Sequence, residues 1–232
     1  KITFNKNLAD KSVKNYVLFC DYDFKIYGLN KLQINHQSTS INKTINSNKS
    51  KNKKILIFNL NPDQRIILVK IKKNLSSTDN EKKGANFYNF LKSNQIFNST
   101  FFEENIKDVA AKNKLFINEF LHGLELRSYE FDKYKSTKKK ETFNIIVKIK
   151  TKYFDRKNNK RFNSLLEGTN LTKDLVSEPG NVLHPDEYAK RITQLKKYGL
   201  KVTVYDEKKL KKLGMNALLG VGQGSVRGSY LV

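Results

Sequence analysis

Five short runs rich in β-branched and aromatic residues recur through the first 150 positions, and they constrain the fold more than any other feature. They are VKNYVLFC (13–20), ILIFNL (55–60), RIILVKI (65–71), IFNSTFF (96–102) and FNIIVKIK (143–150). Each has the length of a strand and is too short for a buried helix. Asn61-Pro62-Asp63 lies between the second and third runs and predicts a turn joining two strands. Helical periodicity fills the longer gaps. Thr78-x-x-Glu81 has the form of a capping box, followed by Phe87, Phe90 and Leu91 on one face. From Asn105 to Leu126, Ile106, Val109, Ala110, Ile117, Phe120, Leu121 and Leu124 recur at helical spacing, which predicts one long helix. Strands alternating with helices imply an α/β layer architecture with a largely parallel sheet.

Two stretches interrupt this pattern. Residues 33–54, QINHQSTSINKTINSNKSKNKK, are polar and of low complexity, and predict a loop. Residues 135–161 hold eleven Lys or Arg against Glu141 and Asp155 alone, which sets a boundary between a first domain, 1–150, and a second part, 151–232. In the second part Phe162, Leu165, Leu166, Thr169 and Val176 mark a helix that ends before Pro179. His184-Pro185-Asp186-Glu187 starts another, with Pro at its first position, acids in its first turn and a stop at Gly199. LKVTVYD (200–206) alternates like a strand, and Asp206 is placed to cap EKKLKKL, which Gly214 closes.

Composition narrows the function classes. The formal net charge is +23, carried by 39 Lys and only 6 Arg, beside 27 Asn. A Lys- and Asn-rich profile follows from AT-rich codons. Dedicated nucleic-acid binders lean on Arg for its bidentate contacts. Composition bias is therefore the favoured source of the charge, with weak nonspecific nucleic-acid binding as its by-product. Cys20 is the single cysteine, which rules out an internal disulfide and a cysteine metal cage and suits a cytoplasmic location. No apolar run reaches the roughly 18–20 residues of a membrane span, so no membrane partner is expected. The chain opens on KITFNKNLAD without a signal pattern or a starting Met, as a fragment or processed product would.

No catalytic, cofactor-binding or metal-ligating residue can be assigned from local pattern. His36, His122 and His184 are far apart and form no metal-ligand spacing, with His122 expected on a helix shoulder. Glu178 precedes Pro179-Gly180-Asn181, a turn by its chemistry, and no second carboxylate converges on it in sequence. The Gly220-Val221-Gly222-Gln223-Gly224-Ser225 run lacks the third glycine of a dinucleotide fingerprint and the Gly-Lys of a P-loop. It predicts a tight connection with close backbone packing. Tyr129, Phe131 and Tyr134 are expected to pack, as is Cys20.

Three segments carry a resemblance: HGLELRSYEFDKYKSTKKK (122–140), NLTKDLVSEPGNVLHP (170–185) and GMNALLGVGQGSVRGSYLV (214–232). In this order and spacing they resemble the leucyl (cytosol) aminopeptidase family. Ser177 and Arg227-Gly228-Ser229 depart from the family's usual residues. The resemblance implies a macro-domain-like N-terminal sheet with flanking helices, followed by the incomplete start of an α/β aminopeptidase catalytic domain. It also implies a cytoplasmic homohexamer that removes N-terminal residues from peptides with two divalent metal ions, Mn or Zn. The family's Lys-x-x-x-x-Asp-Thr-Gly-Gly and Asn-Thr-Asp-Ala-Glu-Gly-Arg type segments do not occur in these 232 residues. The chain is therefore expected to be an inactive fragment that binds no metal of that centre. Leu218, Leu219, Val221, Leu231 and Val232 are expected to lie uncovered.

The alternative is a basic α/β module that binds nucleic acid without catalysis, through the tract from Lys135 to Arg161. Titration with DNA at two salt concentrations separates the two. A binder contacting about 6–10 phosphates loses about three to five decades of affinity between roughly 50 and 200 mM salt, whereas composition alone gives weak binding with a flat salt response.

Overall fold

A computed structural model of the chain describes residues 1–5, 12–48, 53–110, 113–136, 143–148 and 156–232. They fall into two compact units, 1–168 and 169–232.

Unit 1 is built on six strands: β1 (Ile2–Asn5), β2 (Asn15–Cys20), β3 (Ile55–Asn59), β4 (Arg65–Lys70), β5 (Asn98–Phe102) and β6 (Asn144–Lys148). Their order is β1-β6-β5-β2-β4-β3. All neighbours pair in parallel except β3, which folds back on β4 with Ile57 opposite Ile67. The five apolar runs are thus strands, as their composition predicts. The short β1 at the sheet edge is an addition that Ile2 and Phe4 alone did not signal.

Every residue of β2 is buried, because the strand is central and covered on both faces. The pleat splits its side chains. Val17 and Phe19 join Ile67, Val69, Phe101 and Val147 on one face, while Tyr16, Leu18 and Cys20 join Ile66 and Leu68 on the other. Helices α2 (Ser77–Ser93), α3 (Glu103–Val109) and α4 (Phe116–Ser128) cover the first face with Phe87, Leu91, Ile106, Phe116 and Phe120.

The second face corrects the sequence reading. Residues 33–54 were expected as a loop, but a 3-10 turn spans Gln33–Gln37 and helix α1 spans Ser38–Asn48. Ile34, Ile41 and Ile45 are buried against Leu18, Ile66 and Leu68. Their spacing of seven and four residues makes one helical stripe, which the surrounding Ser, Thr and Asn hide from a count of apolar residues. Three isoleucines suffice because the sheet supplies the rest of the apolar surface.

Two further helix expectations shift. The segment from Asn105 to Leu126 is not one helix: α3 ends at Val109, and Asn113 Oδ1 accepts the Leu115 N–H at 2.9 Å to turn the chain into α4. Asn competes with the helix for backbone groups in this way. The cap of α2 lies two residues before Thr78. Ser76 Oγ accepts the Asp79 N–H at 3.1 Å, which frees Glu81 for a partner on α4.

Helices α2 and α4 run side by side in the same direction with almost no space between backbones. A Cβ on Gly84 would lie 1.8 Å from Phe120 O, and one on Gly123 would lie 2.0 Å from Glu81 O. Only glycine permits this approach.

Unit 2 begins within α5 (Arg156–Ser177), which ends before Pro179 as expected. On α5 Leu165 and Val176 point outward, so the apolar face is narrower than predicted. α6 (Pro185–Thr193) starts at His184 with Pro185 in its first turn, and Gly199 closes the following turn at φ 85°. Residues 200–206 are not a strand: only Tyr205 pairs, in a single antiparallel bridge to Leu231. Alternating polarity cannot make a strand without a partner ladder. Asp206 caps α7 (Glu207–Lys212) by accepting the Lys209 N–H at 2.9 Å, and Gly214 closes it at φ 71°. α8 (Asn216–Gly222) takes in the first two glycines of the Gly-rich run. Leu175, Ala189 and Leu210 are the buried apolar residues of this unit among those described. Val221, Leu231 and Val232 are exposed, while Leu218 and Leu219 are half-buried.

The helix crossing generates a sign contrast. Gly123→Ala is expected to cost roughly 3 kcal/mol, the upper end for overpacking against backbone, despite the gain of about 1 kcal/mol in helix propensity. Gly168→Ala, on the exposed face of α5 where a Cβ meets nothing within 4 Å, is expected to be neutral or stabilising by up to about 1 kcal/mol. Urea unfolding followed by far-UV circular dichroism measures both.

Candidate functional site

Open α/β sheets bind ligands beyond the carboxyl ends of the strands, where successive connections leave in opposite directions. Here β2 leads toward β4 and β5 leads toward β6, so that crevice lies between β2 and β5. Their pairing is recorded only at Tyr16–Thr100 and Val17–Phe101. Beyond it Asn105, fully buried on α3, fills the gap. Its Oδ1 accepts the Phe19 N–H at 2.7 Å, and its Nδ2 donates to Phe19 O at 3.0 Å and Tyr27 O at 2.7 Å. One side chain thus replaces a missing stretch of strand.

The loop after β2 packs onto the same crest. Asp21 Oδ1 accepts the N–H groups of Asp23 and Lys25, and Phe24 takes a left-handed conformation at φ 65°, buried beneath the Lys70 ammonium 4.0 Å away. Cys20 is buried beside it. Burial, with Asp21 adding to it and Lys70 opposing, pushes its thiol up to about 12. The crest is therefore packed rather than open. Cys20 is a core residue, as the sequence implied.

The chemically loaded cluster lies elsewhere, between α2 and α4. The glycine crossing brings two carboxylates into contact with the opposite helix. Glu119, 3% exposed, accepts from Ser77 Oγ at 2.6 Å, Asn80 Nδ2 at 2.7 Å and Asn113 Nδ2 at 2.9 Å. Three donors satisfy a buried carboxylate. Glu81 Oε1 lies 2.8 Å from His122 Nδ1. His122 is 6% exposed, not on a helix shoulder as its neighbours implied, and its Nε2 is buried without a hydrogen-bond partner. His122 lines a cavity of about 120 Å³ with Asn118, Leu121 and Glu125 on α4, Asn159, Phe162 and Asn163 on α5, and Ile2 and Phe4 of β1. Burial raises the Glu125 carboxyl above the ordinary range, with His122 opposing the shift. Sequence reading missed this pairing because residues 81 and 122 are related only by the helix crossing.

In unit 2 Glu178 is a structural anchor. Its side chain is 2% exposed and binds Arg191 Nη1 at 3.0 Å, while Arg191 Nε binds Glu187 Oε1 at 3.0 Å. The hydrogen bond from Arg191 holds the Glu187 carboxyl below the usual range. Arg227 Nη1 reaches Asp186 at 3.4 Å, and Glu207 Oε1 accepts the Ser229 N–H at 3.1 Å. Of the Gly-rich run only Gly222 is tightly packed, 2.0 Å from Ser229 Oγ when given a Cβ; Gly220 and Gly224 face open space. His36 is exposed and bonded to Gln33 O and Gln37, and His184 caps α6 by backbone alone. Phe131 and Tyr134 pack on each other, 5.8 Å between centroids. Among the described residues no three His, Cys, Asp or Glu side chains converge as a metal group, so they do not fit a dinuclear centre. No helix among them is long and apolar enough to cross a membrane. Of the basic tract 135–161, residues 137–142 and 149–155 lie outside the described residues.

Comparison with known proteins bears on the second half of the chain. Residues 170–232 match the model of the catalytic domain of the cytosol aminopeptidase family. A probable cytosol aminopeptidase of Phytoplasma mali is 42% identical over 122 residues, covering 50% of this chain and 24% of that protein. One from a Bradyrhizobium species is 45% identical over 114 residues, covering 47% and 23%. The matched stretch thus spans about a quarter of these relatives' length. In fold, a tomato leucine aminopeptidase mutant matches 99% of this chain and 49% of its own with a TM-score of 0.73 at 20% identity. A bottromycin maturation enzyme, BotP, in complex with Mn, matches 94% and 43% with a TM-score of 0.64 at 17% identity.

Cys20 supplies a test of the packed crest. A thiol raised to about 12 stays protonated in the native state, while in the unfolded chain it ionises near its ordinary value of about 8.5. At pH 8 Cys20 is expected to resist a disulfide reagent until denaturant is added. Its contribution to stability is complete below the unfolded value and falls as pH rises toward about 12. Rapid labelling of the native protein at pH 8 would show an open crest.

Proposed function

We propose that the chain belongs to the cytosol aminopeptidase family, whose catalytic-domain model matches residues 170–232, and that its protein removes N-terminal residues from peptides. The observation that carries this is the match of residues 170–232 to the family's catalytic domain, with fold similarity to about half of a leucine aminopeptidase in support. In this reading residues 1–150 form the supporting α/β domain, and 151–232 form the linking helix and the opening of the peptidase domain.

The reaction in this family is two-metal hydrolysis, in which paired divalent ions polarise the scissile carbonyl and supply hydroxide. Manganese or zinc is the expected metal, and a Mn complex of the fold relative BotP is consistent with that. The described residues do not fit such a centre, so no step of the reaction is assigned to them. Their part is positional. The Glu178–Arg191–Glu187 pairs fix the turn after α5 against α6, and Glu207 with Asp186 holds the 225–229 turn. A homohexamer acting in the cytoplasm completes the proposal, the relatives being named cytosol aminopeptidases.

Leucine p-nitroanilide turnover with added Mn²⁺ tests both parts. The 232-residue chain alone is expected to be inactive. A version extended through the two metal-holding segments of the family is expected to be active, to lose activity to a chelator and to regain it with Mn²⁺ or Zn²⁺. Turnover by the shorter chain overturns the division of labour. Inactivity of a folded, metal-loaded longer protein toward a panel of aminoacyl substrates overturns the aminopeptidase reading.

A further inference from the structure

The cavity beside His122 is lined by groups that can ligate a metal ion. Glu81 accepts at His122 Nδ1, 2.8 Å away, which fixes the tautomer that leaves a lone pair on Nε2. That nitrogen is buried and lacks any hydrogen-bond partner, and His122 lines the cavity. A buried imidazole nitrogen with nothing to bond is costly, and an occupant in contact with it would remove that cost. Asn118, His122 and Glu125 fall at i, i+4 and i+7 on α4 and share one stripe of the helix. Asn159 and Asn163, four residues apart on α5, form the facing wall. The lining offers an imidazole nitrogen, a carboxylate and amide oxygens, a donor set that a cation can use. A carboxylate behind one imidazole nitrogen and an open lone pair on the other is the usual support of a metal-binding histidine. A mixed imidazole and carboxylate set suits ions of the zinc, cobalt and manganese series.

We propose that this cavity binds one divalent transition-metal ion through His122 Nε2 and the Glu125 carboxylate, with Glu81 orienting the imidazole. The amide groups of Asn118, Asn159 and Asn163 are further oxygen donors on its wall. At about 120 Å³ the cavity also has room for water ligands, each taking about 30 Å³. The site lies wholly within unit 1, and its occupation does not depend on peptidase activity.

Titration of the metal-free 232-residue chain with Co²⁺, read by ligand-field absorption, and with Zn²⁺, read by calorimetry, tests it. One equivalent is expected to bind with a spectrum containing a nitrogen ligand. Glu125→Gln and His122→Ala are expected to abolish binding, and Glu81→Gln to weaken it about ten- to a hundredfold. His36→Ala and His184→Ala are expected to leave it unchanged. Circular dichroism confirms that each variant is folded; if His122→Ala is not, Glu125→Gln carries the decision, since Glu125 is half-buried and its replacement is close in size. Absence of binding by the parent chain, or binding unaltered in folded Glu125→Gln, overturns the proposal and leaves the cavity to water.

Discussion

The contact of α2 with α4 at Gly84 and Gly123 governs the rest of unit 1. With no Cβ at either position, the two backbones meet directly, and side chains on either side of the crossing meet in pairs that would otherwise be out of reach. Above and below it Ser77 and Asn80 find Glu119, Glu81 finds His122, Asn89 finds Arg127 and Lys92 finds Glu130. The same approach drives Phe87 and Phe120 onto Phe19 and Phe101 of the sheet. A polar seam and an aromatic core are therefore two results of one steric fact. The seam is tolerable because its buried members are bonded, with Glu119 fully served and Asn80 and His122 each served at one of two polar atoms.

Much of the fold was legible because a parallel sheet buried on both faces writes itself as uninterrupted apolar runs. NYVLFC and RIILVK could be little else, and the Asn61-Pro62-Asp63 turn announced the one antiparallel pair. Helix ends with strong local chemistry, such as Pro185 and Gly199, were legible for the same reason. What failed was information that is not local. Ile34, Ile41 and Ile45 need a sheet to make them a helix face. LKVTVYD has the polarity of a strand but, among the described residues, only Leu231 to pair with. Glu81 fitted a capping box by spacing, while Ser76 held the cap and Glu81 faced a histidine 41 positions away. The candidate site depends on that last pair, so no local pattern could have shown it.

Unit 2 differs in kind. With three buried apolar residues among those described, it is held by ion pairs at turns as much as by a core. Such pairs fix geometry well and contribute modestly to stability when they reach solvent. This suits segments whose value lies in where they place the chain, and those are the segments that match the family's catalytic domain.

The arginines of this chain carry a lesson about compositional drift. In a sequence of 39 Lys and 6 Arg, four arginines among the described residues donate to a side-chain oxygen: Arg65 to Asn15, Arg127 to Asn89, Arg191 to Glu178 and Glu187, and Arg227 to Asp186. Three of them act through Nε, a donor direction that an ammonium group does not possess. Arg191 spans two carboxylates at once, which a single point charge cannot do in the same geometry. At these positions an exchange of arginine for lysine would give up that donor geometry. Arginine in so lysine-rich a chain thus reads as a map of the places where the shape of the charge, and not only its sign, is part of the structure.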